Sequence, residues 1–165
     1  VGVFTQPDKP KGRGYTLTPP PVKVFAEENG IPVFQPKSMR DGEALEILKR
    51  LNPELNVVTA YGKILPPEIL YLPKFCSINI HASLLPKYRG AAPIQWCILN
   101  GEKETGVTSM LMNEGLDTGD MLISEKLPID ENMTAGELHD KLSLLGADVL
   151  SKTIRALLDD SLKPI

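Results

Sequence analysis

The chain has 165 residues, 42% of them hydrophobic and 24% charged, a composition that is ordinary for a globular protein and excludes an intrinsically disordered chain. Its net charge of −3 excludes a protein coated in positive charge for nucleic acid, so any RNA contact must come from a local patch. Cys76 and Cys97 lack metal-ligand spacing, and no apolar run is long enough to span a bilayer. We therefore expect one cytoplasmic domain without metal or membrane contact.

Helices and strands alternate along the first half of the chain. The predicted elements are a strand at 1–5, a helix that begins at the prolines 19–21, a strand at 31–34, a helix at 43–51 and a strand at 55–60. Val22, Phe25 and Ala26 give the first helix an apolar stripe. The β-branched, apolar run at 55–60 predicts a strand covered on both faces. This order predicts an α/β fold with βαβ units and a parallel sheet.

The second half of the chain places its last strands close together. The predicted elements are a strand at 75–80, a helix at 93–99, strands at 106–112 and 121–127, and a helix at 135–158. Thr134 and Glu137 have the spacing of a capping box for the last helix. The final strands are expected to be antiparallel additions to the sheet.

The segment that runs from the loop after the first strand to the next helix is rich in proline, glycine and lysine. Lys9, Lys11 and Arg13 outweigh Asp8, so this segment carries a local charge of about +2 in an acidic chain. Its glycine spacing is not that of a P-loop, and no Gly-x-Gly-x-x-Gly follows a strand, so a nicotinamide cofactor is not expected. The segment is either a solvated connection or a functional loop, since long ordered loops are commonly functional.

Two polar side chains lie at the end of the strand at 75–80. Positions i and i+2 of a strand point to one face, so Asn79 and His81 project together. A carboxamide beside an imidazole at the carboxyl end of a strand is typical of a ligand site in an α/β fold and indicates chemistry on a carbonyl. The alternative is that Asn79 caps a turn and His81 is a structural residue.

A glycine-flanked acidic turn at 115–120 is suited to placing one carboxylate in a cleft. Asp117 and Asp120 both lie in this turn, and their spacing alone does not separate them. The only other histidine, His139, lies among charged residues of the last predicted helix and is expected at the surface.

Several strings in this order resemble the folate-dependent formyltransferases, and most closely the branch that formylates methionyl-tRNA. They are residues 5–14 (TQPDKPKGRG), 60–66 (AYGKILP), 79–95, which contain Asn-x-His and SLLPKYRG, 105–108 (TGVT) and 115–119 (GLDTG). The resemblance implies a Rossmann-like fold, with helices on both faces of a mostly parallel sheet to which antiparallel strands are added in the second half. It also implies that residues 1–165 form the catalytic domain, without the first βα unit and the C-terminal β-barrel tRNA-binding domain of that family.

The resemblance implies transfer of a formyl group from 10-formyltetrahydrofolate to the α-amine of initiator methionyl-tRNA, for translation initiation. Asn79 would then stabilise the oxyanion, and His81 would share that task and exchange protons. The resemblance places the catalytic aspartate at Asp117, which could orient the imidazole, favour its charged form or hold a relay water. Asp120 would be structural.

The resemblance also assigns two substrate-binding sets in a protein expected to be monomeric. Arg13 would contact the tRNA acceptor end, with Lys9 and Lys11 as phosphate partners. The predicted folate-binding residues are Tyr61, Gly62, Lys63, Ile64, Leu65, Leu70, Ser83, Leu84, Leu85, Pro86, Gly115 and Leu116. For Ile64, Leu65 and Leu70 the alternative is plain core, and Arg89 could bind phosphate or carboxylate or form a structural ion pair.

Other functions stay open from the sequence. A sugar-nucleotide N-formyltransferase or a 10-formyltetrahydrofolate hydrolase would keep Asn79, His81 and Asp117. The basic loop favours tRNA over both. From a different class, the chain could be a noncatalytic RNA-binding or remnant domain.

Overall fold

The computed structural model describes residues 1–12 and 15–163 as two compact units. The first unit comprises Val1–Leu55 and Tyr61–Phe75, and the second comprises Asn56–Ala60 and the chain from Cys76 onward. Arg13, for which a tRNA contact is predicted, lies outside the described residues. None of the described helices has the length and apolarity needed to cross a bilayer.

The described residues of the first unit form two small sheets and three helices. Its elements are β1 (Val3–Phe4), β2 (Lys9–Lys11), β3 (Thr16–Thr18), α1 (Pro21–Glu28), β4 (Val33–Phe34), α2 (Glu43–Leu51) and α3 (Pro67–Leu70). Strands β1 and β4 are parallel, as the βαβ pattern predicts, and the Phe4 and Phe34 rings lie 5.1 Å apart. Strands β2 and β3 form an antiparallel hairpin within the segment that the sequence predicts as a loop.

Two predictions of apolar packing are wrong. In α1, Ala26 is fully buried whereas Val22 and Phe25 are 47% and 63% exposed. The helix packs on β4, and Ala26 is its only buried residue, so the larger side chains lie outside the contact. Val57, in the strand predicted to be covered on both faces, is 42% exposed and lines an open cleft that Leu142 and Leu150 of the last helix also line.

The second unit is built on a four-stranded sheet. Its elements are β5 (Leu55–Val58), β6 (Cys76–His81), α4 (Pro93–Leu99), β7 (Glu104–Leu111), β8 (Met121–Pro128) and α5 (Ala135–Leu158), and the strand order is β5-β6-β7-β8. The predicted antiparallel addition is confirmed, since β7 pairs antiparallel with both β6 and β8. The predicted bounds of α2, α4 and α5 are confirmed as well.

Helix α5 closes the hydrophobic core of the second unit. Thr134 and Glu137 form the predicted capping box, in which the Thr134 backbone N–H donates to Glu137 Oε2 at 2.8 Å. The buried core residues are Cys97, Val107, Met133, Leu138, Leu142 and Val149. Strands β6 and β7 pack against this core with one face and pair with neighbouring strands at both edges. The end of β6 is therefore a rigid support for side chains.

Candidate active site

The end of β6 positions Asn79 and His81. In the register of the sheet, Asn79 lies opposite Met110 and His81 opposite Thr108, both on β7. The two side chains share one face, and the His81 side chain is only 7% exposed. The strand therefore presents a shielded imidazole and a half-buried carboxamide side by side.

Asp117 reaches these two residues from the loop between β7 and β8. Its backbone is left-handed, with φ of +50°, a conformation that aspartate tolerates better than most residues. The turn is fixed by Asn113 Oδ1, which accepts hydrogen bonds from Gly115 N at 3.0 Å and Thr118 Oγ1 at 2.8 Å. At Gly119 a Cβ would lie 1.8 Å from the Leu111 carbonyl oxygen, so only glycine fits where the loop returns to the sheet.

The Asp117 carboxylate is held by donors on two sides. Its Oδ1 accepts a hydrogen bond from Asn79 Nδ2 at 3.2 Å, and its Oδ2 accepts one from the Gly90 backbone N–H at 2.8 Å. The side chain is 13% exposed. Two hydrogen bonds thus fix the orientation of the Asp117 carboxyl group at a site that is largely shielded from water.

The His81 ring lies between a carbonyl and this carboxylate. Its Nε2 is 2.8 Å from the Tyr88 carbonyl oxygen, and because a carbonyl can only accept, Nε2 carries a proton. Its Nδ1 is 3.6 Å from Asp117 Oδ2, which is longer than a direct hydrogen bond. The structure thus brings together the three residues that the sequence singles out.

The geometry distinguishes Asp117 from Asp120. Asp120 has an exposed side chain, and its backbone carbonyl accepts from the Leu111 N–H at 2.9 Å as part of the β7–β8 ladder. His139 is exposed on α5, as predicted, with Nδ1 at 3.2 Å from Asp140 Oδ1. Neither residue belongs to the cluster around His81.

The loop after β6 contains four of the predicted folate-binding residues, at 83–86. Ser83 and Leu85 are buried, Leu84 is half-buried and Pro86 is exposed. The buried Thr108 hydroxyl ties this loop to the sheet, since it donates to the Ser83 carbonyl at 2.8 Å and accepts from Leu85 N at 3.2 Å. Sequence reasoning assigned no role to Thr108, although it ends the string at 105–108 that carries part of the family resemblance.

The other predicted folate-binding residues are divided between the two units. Gly115 and Leu116 lie in the exposed turn of the second unit, whereas Tyr61 to Leu65 and Leu70 lie in the first. Leu70 is 1% exposed and Leu65 is 8% exposed, so both pack in the core, while Ile64 is 68% exposed.

Hydrogen bonds within the first unit fix the backbone of the 61–65 segment. Gln6 Nε2 donates to the Tyr61 carbonyl at 2.6 Å. Lys63 Nζ donates to the Pro36 and Lys37 carbonyls, and the Tyr61 hydroxyl donates to Met39 Sδ. Burial raises the pKa of Tyr61, so this phenol stays neutral. The Tyr61 carbonyl and the side chains of Tyr61 and Lys63 thus anchor this segment within the first unit.

The β2–β3 hairpin presents the predicted tRNA-binding lysines. Lys9 and Lys11 are exposed, and among the described residues neither forms an ion pair. Asp8 instead accepts from Gln35 Nε2 at 2.7 Å and Lys23 Nζ at 2.9 Å, which lowers the pKa of its carboxyl. The negative charge of Asp8 is therefore paired with Lys23 rather than with Lys9 or Lys11.

The sequence pattern of the formyl transferase family matches residues 1–154. The chain belongs to that family. It is 59% identical over 157 residues to a methionyl-tRNA formyltransferase of Clostridioides difficile (strain 630), covering 95% of this chain and 51% of the relative. A methionyl-tRNA formyltransferase of Clostridium novyi (strain NT) is 56% identical over 165 residues, covering 99% of this chain and 53% of the relative. The chain therefore spans about half the length of the curated relatives it matches.

Solved structures agree with this assignment. A phosphoribosylglycinamide formyltransferase from Bacillus halodurans superposes with a TM-score of 0.76 at 27% identity, over 94% of this chain and 79% of that one. The Rossmann-like formyltransferase fold that the sequence predicts is thereby confirmed.

Proposed function

We propose that the complete protein transfers the formyl group of 10-formyltetrahydrofolate to the α-amine of initiator methionyl-tRNA. The observation that carries this proposal is the convergence of Asn79, His81 and Asp117 in a formyl transferase whose relatives are named methionyl-tRNA formyltransferases. The proposal includes a cytoplasmic, monomeric enzyme that uses no metal and no nicotinamide cofactor.

The first step forms a tetrahedral oxyanion. The amine of the methionyl group attacks the formyl carbon, and negative charge develops on the formyl oxygen. Asn79 Nδ2 has two hydrogens, of which one is donated to Asp117 Oδ1, leaving the second for that oxygen. A preorganised donor of this kind is worth about 3 kcal/mol in the transition state.

The second step moves a proton between two nitrogens. The attacking amine becomes cationic and loses a proton, while N10 of the folate gains one as the bond from N10 to the formyl carbon breaks. His81 Nδ1 is the nitrogen available for this exchange, because Nε2 is bonded to the Tyr88 carbonyl. The 3.6 Å gap to Asp117 Oδ2 leaves room for a relay water or for closure to a direct contact.

Cationic groups would bind the phosphates of the tRNA. Lys9 and Lys11 on the hairpin are exposed and lack ion pairs among the described residues, and Arg13 follows them in the sequence. Arg89, next to Gly90 of the site, is also exposed and has no ion pair among the described residues, which favours a ligand role over a structural one.

The proposal is tested by the choice of formyl acceptor. The complete protein is incubated with 10-formyltetrahydrofolate and with methionyl-tRNA, an amino-sugar nucleotide or water alone, and product formation is measured. We expect transfer to methionyl-tRNA, and loss of at least about a hundredfold in Asn79→Ala. Faster transfer to the sugar or to water would contradict the proposal and favour the sugar N-formyltransferase or hydrolase alternative, and no turnover with any acceptor would favour a noncatalytic domain.

A further inference from the structure

Tyr88 has an unusual backbone for its side chain. It lies in the loop between β6 and α4 with φ of +57°, a left-handed conformation that a bulky residue rarely adopts. This conformation costs free energy and persists only where surrounding contacts hold it. Its carbonyl oxygen accepts the hydrogen bond from His81 Nε2, and these two atoms lie 2.8 Å apart.

The Tyr88 side chain supplies such contacts at some distance from the imidazole. Its hydroxyl donates to Glu102 Oε1 at 2.7 Å and accepts from Asn100 Nδ2 at 2.9 Å, both in the connection between α4 and β7. Its ring is half-buried against the core of the second unit. The hydroxyl bond from Tyr88 and the ion pair with Lys87 lower the pKa of Glu102, so the acceptor stays charged at neutral pH.

We infer that Tyr88 is a positioning residue for His81: its hydroxyl, held by Asn100 and Glu102, fixes the carbonyl that binds Nε2 and so leaves Nδ1 free to exchange protons. This inference rests on the proposed function, in which Nδ1 performs the proton transfer. Tyr88 itself touches no reacting atom.

The alternative to this inference is that the hydroxyl contacts only stabilise the fold. The two cases differ in what happens to the imidazole when the hydroxyl is removed but the ring is kept. If the hydroxyl positions the carbonyl, its removal weakens the hydrogen bond between His81 Nε2 and the Tyr88 carbonyl, and the imidazole ring becomes less ordered. Misplacement of a reacting group lowers the reaction rate rather than the substrate affinity. If the contacts are only structural, the imidazole is unaffected.

The test compares Tyr88→Phe with Tyr71→Phe in the complete protein. Tyr71 is 62% exposed and lies in the first unit, so its variant removes a phenol hydroxyl outside the unit that contains His81. For Tyr88→Phe we expect kcat of formyl transfer to fall about tenfold, with KM for both substrates unchanged within about twofold. Glu102→Gln keeps an acceptor for the hydroxyl and should retain most of the rate, whereas Glu102→Leu should match Tyr88→Phe.

A second measurement does not need substrates. In ¹⁵N–¹H spectra the His81 Nε2 proton, assigned by its loss in His81→Ala, should be resolved and slow to exchange in the wild type and in Tyr71→Phe. In Tyr88→Phe it should exchange at least about tenfold faster with water. An unchanged proton together with unchanged kcat would overturn the inference, as would a wild-type proton on Nδ1. A wild type that shows the Nε2 proton but no formyl transfer would instead refute the proposed function alone.

Discussion

Asp117 illustrates how single residues make this site. Its left-handed backbone turns the carboxylate back to the sheet, where Asn79 and Gly90 each donate one hydrogen bond. The sequence alone could not choose between Asp117 and Asp120, because both follow the same glycine-rich turn and the difference lies in the φ of one residue. The family resemblance places the catalytic aspartate at Asp117, and the structure brings its carboxylate to Asn79 and His81 while the Asp120 side chain is exposed.

The two aspartates predict opposite outcomes when each is changed to asparagine. Asp117→Asn should lower kcat for formyl transfer by at least about a hundredfold, since it removes the charge beside the imidazole while keeping the size of the side chain. Asp120→Asn should keep kcat near the wild-type value, because its side chain is exposed. Steady-state kinetics on both variants, with circular dichroism to confirm folding, provide the measurement. Activity lost in Asp120→Asn and kept in Asp117→Asn would reverse the assignment.

Individual helices and strands were predictable where local pattern determines them. Helix α2 has amphipathic periodicity, α4 begins at a proline and α5 has a capping box, and the bounds of all three are confirmed. The β2–β3 hairpin was missed because proline and glycine at Pro10 and Gly12 favour a loop, although an edge position tolerates proline. Asn79 and His81 follow from strand periodicity, whereas the contacts of Tyr88 with Asn100 and Glu102 link separate loops and leave no local pattern.

The capping box of α5 makes a prediction about pH. Hydrogen bonds from the Thr134 backbone and side chain lower the pKa of Glu137 from its ordinary value of 4.5. A lowered folded-state pKa means that this stabilisation is present above about pH 4.5 and is lost as the pH falls towards the lower folded value. Glu137→Gln should therefore reduce the urea midpoint at pH 7 and have little effect once Glu137 is protonated in acid.

Two further variants separate the capping box from general charge effects. Thr134→Ala should cost about 1 kcal/mol of unfolding free energy at pH 7, the usual effect of losing an N-cap side chain. Glu131→Gln removes an exposed glutamate outside the box and should leave the urea midpoint unchanged at both pH values. An equal effect of Glu131→Gln and Glu137→Gln would show that net charge, not the cap, controls the stability of α5.

At the scale of the whole molecule, the proposed catalytic residues and the predicted tRNA-binding lysines lie in different units. The triad of Asn79, His81 and Asp117 lies in the second unit, and the basic hairpin lies in the first. The chain is acidic overall, with a net charge of −3, so the proposed affinity for tRNA would have to come from a few lysines and arginines in one place. Since phosphate contacts release counterions, such a patch makes binding depend on salt.

We therefore expect that removal of the two hairpin lysines weakens the use of methionyl-tRNA but not of the folate. Lys9→Ala combined with Lys11→Ala should raise KM for methionyl-tRNA and reduce the slope of log affinity against log salt by about 2, one for each phosphate contact. The affinity for 10-formyltetrahydrofolate and the kcat should stay unchanged, because neither lysine belongs to the triad or to the predicted folate-binding residues.

A matched control removes the same charge from the same unit. Lys49 and Lys74 are exposed, lie outside the hairpin and form ion pairs with Glu46 and Glu54. Changing both to alanine lowers the net charge by the same amount, so a general electrostatic attraction would weaken tRNA use equally in the two double variants. Local binding would weaken it only in the hairpin variant, and equal losses in the two salt titrations would therefore remove the hairpin from the tRNA interface.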